Sequence, residues 1–244
     1  MAIYKHIMYS DISEECYLDL RIPEGKDEFY CFVYFHGGGM VAGGSWEPFH
    51  DKLMEMGFAV ASTQYRMYPD AKFPDFVVDS ANAVAWTMKN IGNYGKCKGV
   101  FVGGSSAGGY LSLMLCFDER YLENAGVDPK SIAGYIHDAG QPTTHFNVLT
   151  ERGLDRYRLV IDEAAPAYFV GLKESHPDML IIVSDDDLPC RLEQTYMFTK
   201  ALSQFNIGYE LKLMHSSHCK YVNRQDENGR WIFSDLVSDF IQKK

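Results

Sequence analysis

From Glu28 to Phe35 the chain reads EFYCFVYF, apolar almost throughout. That is the pattern of a strand buried on both faces of a parallel sheet. The period then changes. Phe49, Leu53 and Met56 recur at helical spacing behind Ser45, a residue type that caps helices. FAVAST, from Phe58 to Thr63, predicts the next strand. Pro74 suits a first helical turn, and Val77, Ala81, Val84 and Met88 after it form one apolar stripe. GVFVG, from Gly99 to Gly103, predicts a short buried strand. The segment through Leu111, Met114 and Leu115 is apolar nearly all round, which predicts a central helix. IAGYIHDAG and MLIIVSD predict two more strands, and Tyr209, Leu211 and Leu213 alternate with polar neighbours in another. Phe233, Leu236, Val237, Phe240 and Ile241 stripe a last helix.

This alternation of strand and helix predicts an α/β fold, with a mostly parallel central sheet and helices on both faces. No repeat, low-complexity tract or Pro/Gly/Ser linker divides the chain, so a single domain over 1–244 is expected. The stretch 141–178 is long, mixed in character and set between two strands. It reads as a small lid insertion.

With 46% hydrophobic residues among its 244, the chain has ample material for such a core. The net charge of −10 argues against nucleic acid or an anionic membrane as partner, since both call for basic patches. The first residues, MAIYKHIMYSDISEE, lack the apolar core and small-residue cleavage site of a signal peptide. The six cysteines are scattered without a CxxC pair, as in a reduced protein. A cytoplasmic location is the expectation from these features.

Two glycine clusters carry the chemistry. VGGSSAGG, Val102 to Gly109, contains one G-x-S-x-G, formed by Gly104, Ser106 and Gly108. On a sharp strand-to-helix turn, flanking glycines remove the Cβ clashes that close packing would create, and the serine hydroxyl stands clear of the sheet. Ser105 fits less well, because Ala107 stands where its second glycine would be. A phosphate cradle would need Lys-Ser or Lys-Thr after the last glycine, and Tyr110-Leu111 follow. The second cluster, His36-Gly37-Gly38-Gly39-Met40, follows the strand ending at Phe35 and can aim backbone N–H groups at an anion. Gly37-x-Gly39-x-x-Ala42 also matches a dinucleotide fingerprint, but Thr63-Gln64-Tyr65 supplies no acidic residue at the end of the next strand. A nucleophilic serine needs a base and an acid to orient it. Asp185, Asp186 and Asp187 follow one late strand, and His215 and His218 follow or end another. A metal site at His215, His218 and Cys219 is the weaker use of those residues.

In this order the segments resemble the α/β-hydrolase fold and, within it, the hormone-sensitive-lipase-like esterases. His36 to Gly39 is similar to the HGGG oxyanion loop. Tyr65-Arg66-Met67-Tyr68-Pro69-Asp70, with Phe73-Pro74, is similar to Y-R-L-A-P-E and F-P. Gly104 to Gly108 matches the nucleophile turn, and Asp187-Leu188-Pro189-Cys190-Arg191 with Tyr196 looks like D-P-L-R-D and its tyrosine. The resemblance covers roughly residues 28 to 240. It implies Asp187 as the acid, His218 as the base, and the N–H groups of Gly38, Gly39 and Ala107 as the oxyanion hole. Met40 stands where an aromatic is common, and His215-Ser216-Ser217 replaces a glycine-containing approach to the histidine.

The expected activity is hydrolysis of small, short-acyl carboxylic esters by Ser106, His218 and Asp187 through an acyl-enzyme, with no metal or cofactor. Only 35 residues precede His36, and they read as strands rather than as an N-terminal cap. The expected partner is a small-molecule ester, with neither nucleic acid nor membrane and with homodimerisation left open. Two alternatives remain: a formamidase or small-amide hydrolase with the same machinery, and a ligand receptor on an esterase scaffold, as the plant gibberellin receptors exemplify.

Overall fold

A computed structural model describes residues 2–173 and 175–244. Eight strands form one sheet: β1 (Ala2–Met8), β2 (Tyr17–Ile22), β3 (Glu28–Phe35), β4 (Ala59–Thr63), β5 (Lys96–Ser105), β6 (Gly134–Asp138), β7 (Met179–Asp186) and β8 (Glu210–Ser217). Their order across the sheet is β1-β2-β4-β3-β5-β6-β7-β8. β1 pairs antiparallel with β2, and β2 with β4; every other pairing is parallel. The order reverses around β3, where β4 and β5 lie on opposite sides. Loops at the carboxyl ends of such strands face a common crevice.

The helices are α1 (Pro48–Glu55), α2 (Asp75–Asn90), α3 (Ala107–Phe117), α4 (Arg120–Asn124), α5 (Phe146–Glu151), α6 (Arg191–Gln204) and α7 (Ile232–Ile241). One face of the sheet packs Val33, Val102 and Tyr135 against Val77 and Val84 of α2, Leu111 and Met114 of α3, and Phe198 and Leu202 of α6. The other packs Phe32, Phe101 and Ile182 against Phe49 and Leu53 of α1 and Phe233, Val237 and Phe240 of α7. All eleven residues of α3 are buried, as its apolar sequence requires.

Two helix starts differ from the sequence expectation. Glu47, not Ser45, caps α1, in a reciprocal box with His50. Ser45 is instead buried against Asp19, and its carbonyl accepts from the Ser62 hydroxyl. Pro74 occupies the cap of α2 rather than its first turn. For Ser45, partners remote in sequence decide the boundary. The 141–178 stretch leaves the carboxyl end of β6 and returns to its neighbour β7, so it crosses the rim where the strands end. It buries Val148, Leu149, Ala164 and Phe169, and it leaves Tyr157 81% exposed.

Candidate active site

The site is built where β3, β5, β6, β7 and β8 end. Ser106 lies between β5 and α3, with φ +57° and ψ −112°. An L-residue is rarely found there, and such a conformation persists only when its surroundings enforce it. The enforcement is visible. A Cβ on Gly104 would lie 2.5 Å from the Phe35 carbonyl oxygen, and one on Gly108 would lie 1.8 Å from it. Only glycine lets strand and helix meet so closely. The Ser106 N–H donates to the Asp138 carbonyl at 2.8 Å, fixing the turn to β6. Ser105 is buried beneath the turn, beside Tyr34 and Asp138.

The Ser106 hydroxyl lies 2.7 Å from Nε2 of His218, and Nδ1 of that ring lies 2.6 Å from Oδ1 of Asp187. The Asp187 side chain is 1% exposed and that of His218 20%. Burial alone would raise the Asp187 carboxyl. The His218 hydrogen bond and charge, the Leu188 N–H and Arg191 outweigh it and hold the group below the usual carboxylate range. An ionised Asp187 makes Nδ1 the donor, which leaves Nε2 as acceptor for the serine proton.

The three consecutive aspartates are divided among three partners. Asp185 pairs with Nδ1 of His215 at 2.6 Å, and Asp186 accepts from the Ser217 hydroxyl. The His215 pair is at the surface, with the imidazole 86% exposed. His215 and His218 are thus drawn to different carboxylates.

The glycine loop lies against this array: a Cβ on Gly37 would be 3.4 Å from Cβ of Ser106. His36 Nδ1 donates to the Gly37 carbonyl at 2.6 Å. The Gly38 carbonyl accepts from the N–H groups of Val41 and Ala42, both at 3.2 Å. In a trans peptide the N–H points opposite to the carbonyl. Pinning these two carbonyls therefore orients the N–H groups of Gly38 and Gly39 away from the loop's own contacts. Gly38 has φ +100° and Gly39 φ +67°, which lets the loop turn this way. Ala107 is the first residue of α3, so its N–H has no intrahelical partner.

Several supporting contacts join residues of the recognised motifs to residues the sequence reading did not single out. Tyr65 donates to the His36 carbonyl at 2.9 Å and stacks on its ring, while the Tyr68 N–H donates to the Met40 carbonyl at 2.8 Å. Arg66 forks onto buried Asp79 with two bonds of 2.8 Å. The 65–68 motif is thus a brace for the glycine loop. Asn147 of α5 donates to the Gly39 carbonyl, and buried Arg191 donates to the Ala139 carbonyl, tying the Asp187 loop to β6. Asp138, fully buried, accepts from the Tyr221 hydroxyl, and its carboxyl is raised to about 6 by burial, against the hydrogen bonds and the His218 charge that favour ionisation. For Asp79, Asp138 and Asn147, a polar residue among apolar neighbours is the sign left in the sequence.

A cavity of about 320 Å³ adjoins the site, between Leu188–Arg191 and residues 141–158. Among the described residues no helix is long and apolar enough to cross a membrane.

Comparison with known proteins gives a consistent relationship. The BD-FAE family model matches residues 18–139, half of the chain. Esterase LipC of Mycobacterium tuberculosis is 26% identical, over 68% of this chain and 46% of its own length. Esterase LipQ of the same organism is 30% identical, over 82% and 53%. The chain thus spans about half the length of these relatives. Among solved structures, a truncated carbohydrate esterase from gut microbiota superimposes with a TM-score of 0.80 at 17% identity, covering 100% of this chain and 96% of that one. The propionate-bound esterase Est2 of Thermogutta terrifontis gives 0.76 at 18% identity, covering 97% and 93%. Likeness at this identity shows the fold, which is that of the α/β-hydrolases.

Proposed function

The chain belongs to the BD-FAE family, and from that premise we propose that it is a serine hydrolase of small carboxylic esters, with Ser106, His218 and Asp187 as its triad. The observation that carries the reading is the unbroken hydrogen-bonded line from Ser106 Oγ through His218 to Asp187. His218 Nε2 takes the hydroxyl proton as Ser106 Oγ bonds to the ester carbonyl carbon. The imidazolium is stabilised by ionised Asp187. The tetrahedral intermediate places its negative oxygen among the N–H groups of Gly38, Gly39 and Ala107. Collapse breaks the bond to the alcohol, which leaves with the proton from Nε2. A water, deprotonated by the same nitrogen, then attacks the acyl-enzyme and releases the acid and free Ser106.

A short acyl group is part of this proposal. The cavity beside the triad holds about 320 Å³; Phe146, Tyr157, Leu188 and Pro189 give it apolar wall, so its volume rather than its polarity bounds the acyl chain. The propionate and butyrate bound to Est2 of Thermogutta terrifontis are ligands of similar size on the same fold. The test is turnover of p-nitrophenyl esters from acetyl to palmitoyl, with covalent labelling by a fluorophosphonate. Ser106→Ala is expected to lose both label and turnover, with an optimum at butyryl or shorter in the unsubstituted protein. Labelling that survives Ser106→Ala, or an optimum at octanoyl or longer, contradicts the assignment of nucleophile or of substrate size respectively.

A further inference from the structure

The cavity beside the triad has a charge opposite to that of the whole chain. Of its ten lining residues three are arginines and none is acidic, in a protein of net charge −10. It also reaches the reacting region. Its wall residue Phe146 has Cζ 3.7 Å from where a Cβ of Gly39 would stand, and its opposite wall begins at Leu188, next to Asp187. Burial first, then the charges of Arg191, Arg156 and His218, push the buried His145 well below its usual range, so two of these arginines and His218 lie within electrostatic reach of one ring.

The three arginines are not equivalent. Arg191 is buried and committed to Ala139 and Gln141. Arg156 lies over Phe146, its guanidinium carbon 4.6 Å from the ring centroid, and also contacts the Tyr157 ring. Among the described residues neither Arg156 nor Arg158 has a carboxylate partner. Acids are within reach along the chain: Arg152 pairs with Asp162 at 2.7 Å, while Asp155 turns its carboxylate to the Tyr157 N–H. Two uncompensated guanidinium groups on the rim of a partly apolar cavity are complementary to a planar anion held by two parallel hydrogen bonds.

We propose that Arg156 and Arg158 form a subsite for a carboxylate carried by the ester substrate, so that the enzyme selects half-esters of dicarboxylic acids, or esters of alcohols bearing an acid group, over neutral counterparts. The proposal rests on the hydrolase reading above. The chain's overall negative field disfavours anions at a distance, so the preference arises at short range and weakens as salt screens it.

Two matched substrate pairs test this. Mono-p-nitrophenyl adipate against p-nitrophenyl hexanoate places the carboxylate on the acyl half. Meta-butyryloxybenzoate against phenyl butyrate places it on the alcohol half. In at least one pair the anionic ester is expected to have kcat/KM about fivefold or more above the neutral one, chiefly through KM. The ratio should fall towards unity in Arg156→Gln/Arg158→Gln and in high salt, and stay intermediate in Arg156→Lys/Arg158→Lys. The pair that shows the preference identifies which half of the ester faces the arginines. Turnover of the neutral esters with no anionic preference, or a preference that survives the glutamine substitutions, overturns the subsite alone. Failure on all four esters, with no fluorophosphonate label, overturns the hydrolase reading and the subsite with it.

Discussion

Two histidine–aspartate pairs, His215–Asp185 and His218–Asp187, have equal length, and among the described residues only the second has its histidine hydrogen-bonded to a serine hydroxyl. Removing each carboxylate in turn separates geometry from chemistry. Asp187→Ala deletes a buried acceptor that serves His218, the Leu188 N–H at 2.7 Å and the Ser184 N–H at 3.3 Å. Without it the imidazole loses both its orientation and its counter-charge, and kcat/KM is expected to fall by about 10⁴, or ~5.5 kcal/mol of transition-state stabilisation. The two stranded backbone donors should also cost about 1–3 kcal/mol of folding stability. Asp185→Ala breaks a pair whose histidine is 86% exposed, so turnover should change by less than about twofold. The assay is p-nitrophenyl butyrate hydrolysis normalised to folded protein, with urea midpoints recorded for both variants. Inactivity of Asp185→Ala, or retention of more than about a tenth of wild-type turnover by folded Asp187→Ala, refutes the reasoning.

Two further outcomes follow from the strained turn and the carboxyl beneath it. Because Ser106 has φ +57°, glycine should be better tolerated there than alanine: Ser106→Gly is expected to unfold at higher urea than Ser106→Ala, by ~1 kcal/mol. The reverse order would place this residue in ordinary backbone geometry. Asp138 has its carboxyl raised to about 6, so its ionisation works against the fold as pH climbs from 4 through 6 and beyond. Asp138→Asn, neutral at every pH, should therefore exceed the wild type in stability at pH 8, by up to roughly 3 kcal/mol, and match it near pH 3.5. Urea melts at the two pH values check this, and a difference of equal size at both would show that packing, not charge, sets the effect.

The strand pattern was legible because parallel strands buried on both faces leave long apolar runs, as at Glu28–Phe35 and Met179–Asp186. Helix starts were less so, since Ser45 finds Asp19 and Ser62 from other strands rather than its own helix. Of the candidate residues, Ser106 stood out through its flanking glycines, a local signal. Spacing alone left three aspartates and two histidines unresolved, because each aspartate can find a nearby partner and only burial distinguishes them. Asp138 and Asn147 were not legible, and Arg191 was legible as part of a motif but not in its contact. Their partners lie on other elements: Tyr221 for Asp138, Gly39 for Asn147 and Ala139 for Arg191.

β8 lies at the margin of the sheet, and among the described residues β7 is its sole strand neighbour. The residue that follows it is His218, whereas Ser106 follows β5, which is flanked on both sides. Edge strands fray at lower free energy than central ones. Ser106 and His218, the proposed nucleophile and base, therefore belong to regions of unequal persistence, and transient peeling of β8 separates them while the hydrophobic interior remains intact. Heat should consequently silence this protein before it melts it, and amide protons of Leu211–Leu213 should exchange ahead of those of Val100–Val102 under conditions where inactivation is still reversible.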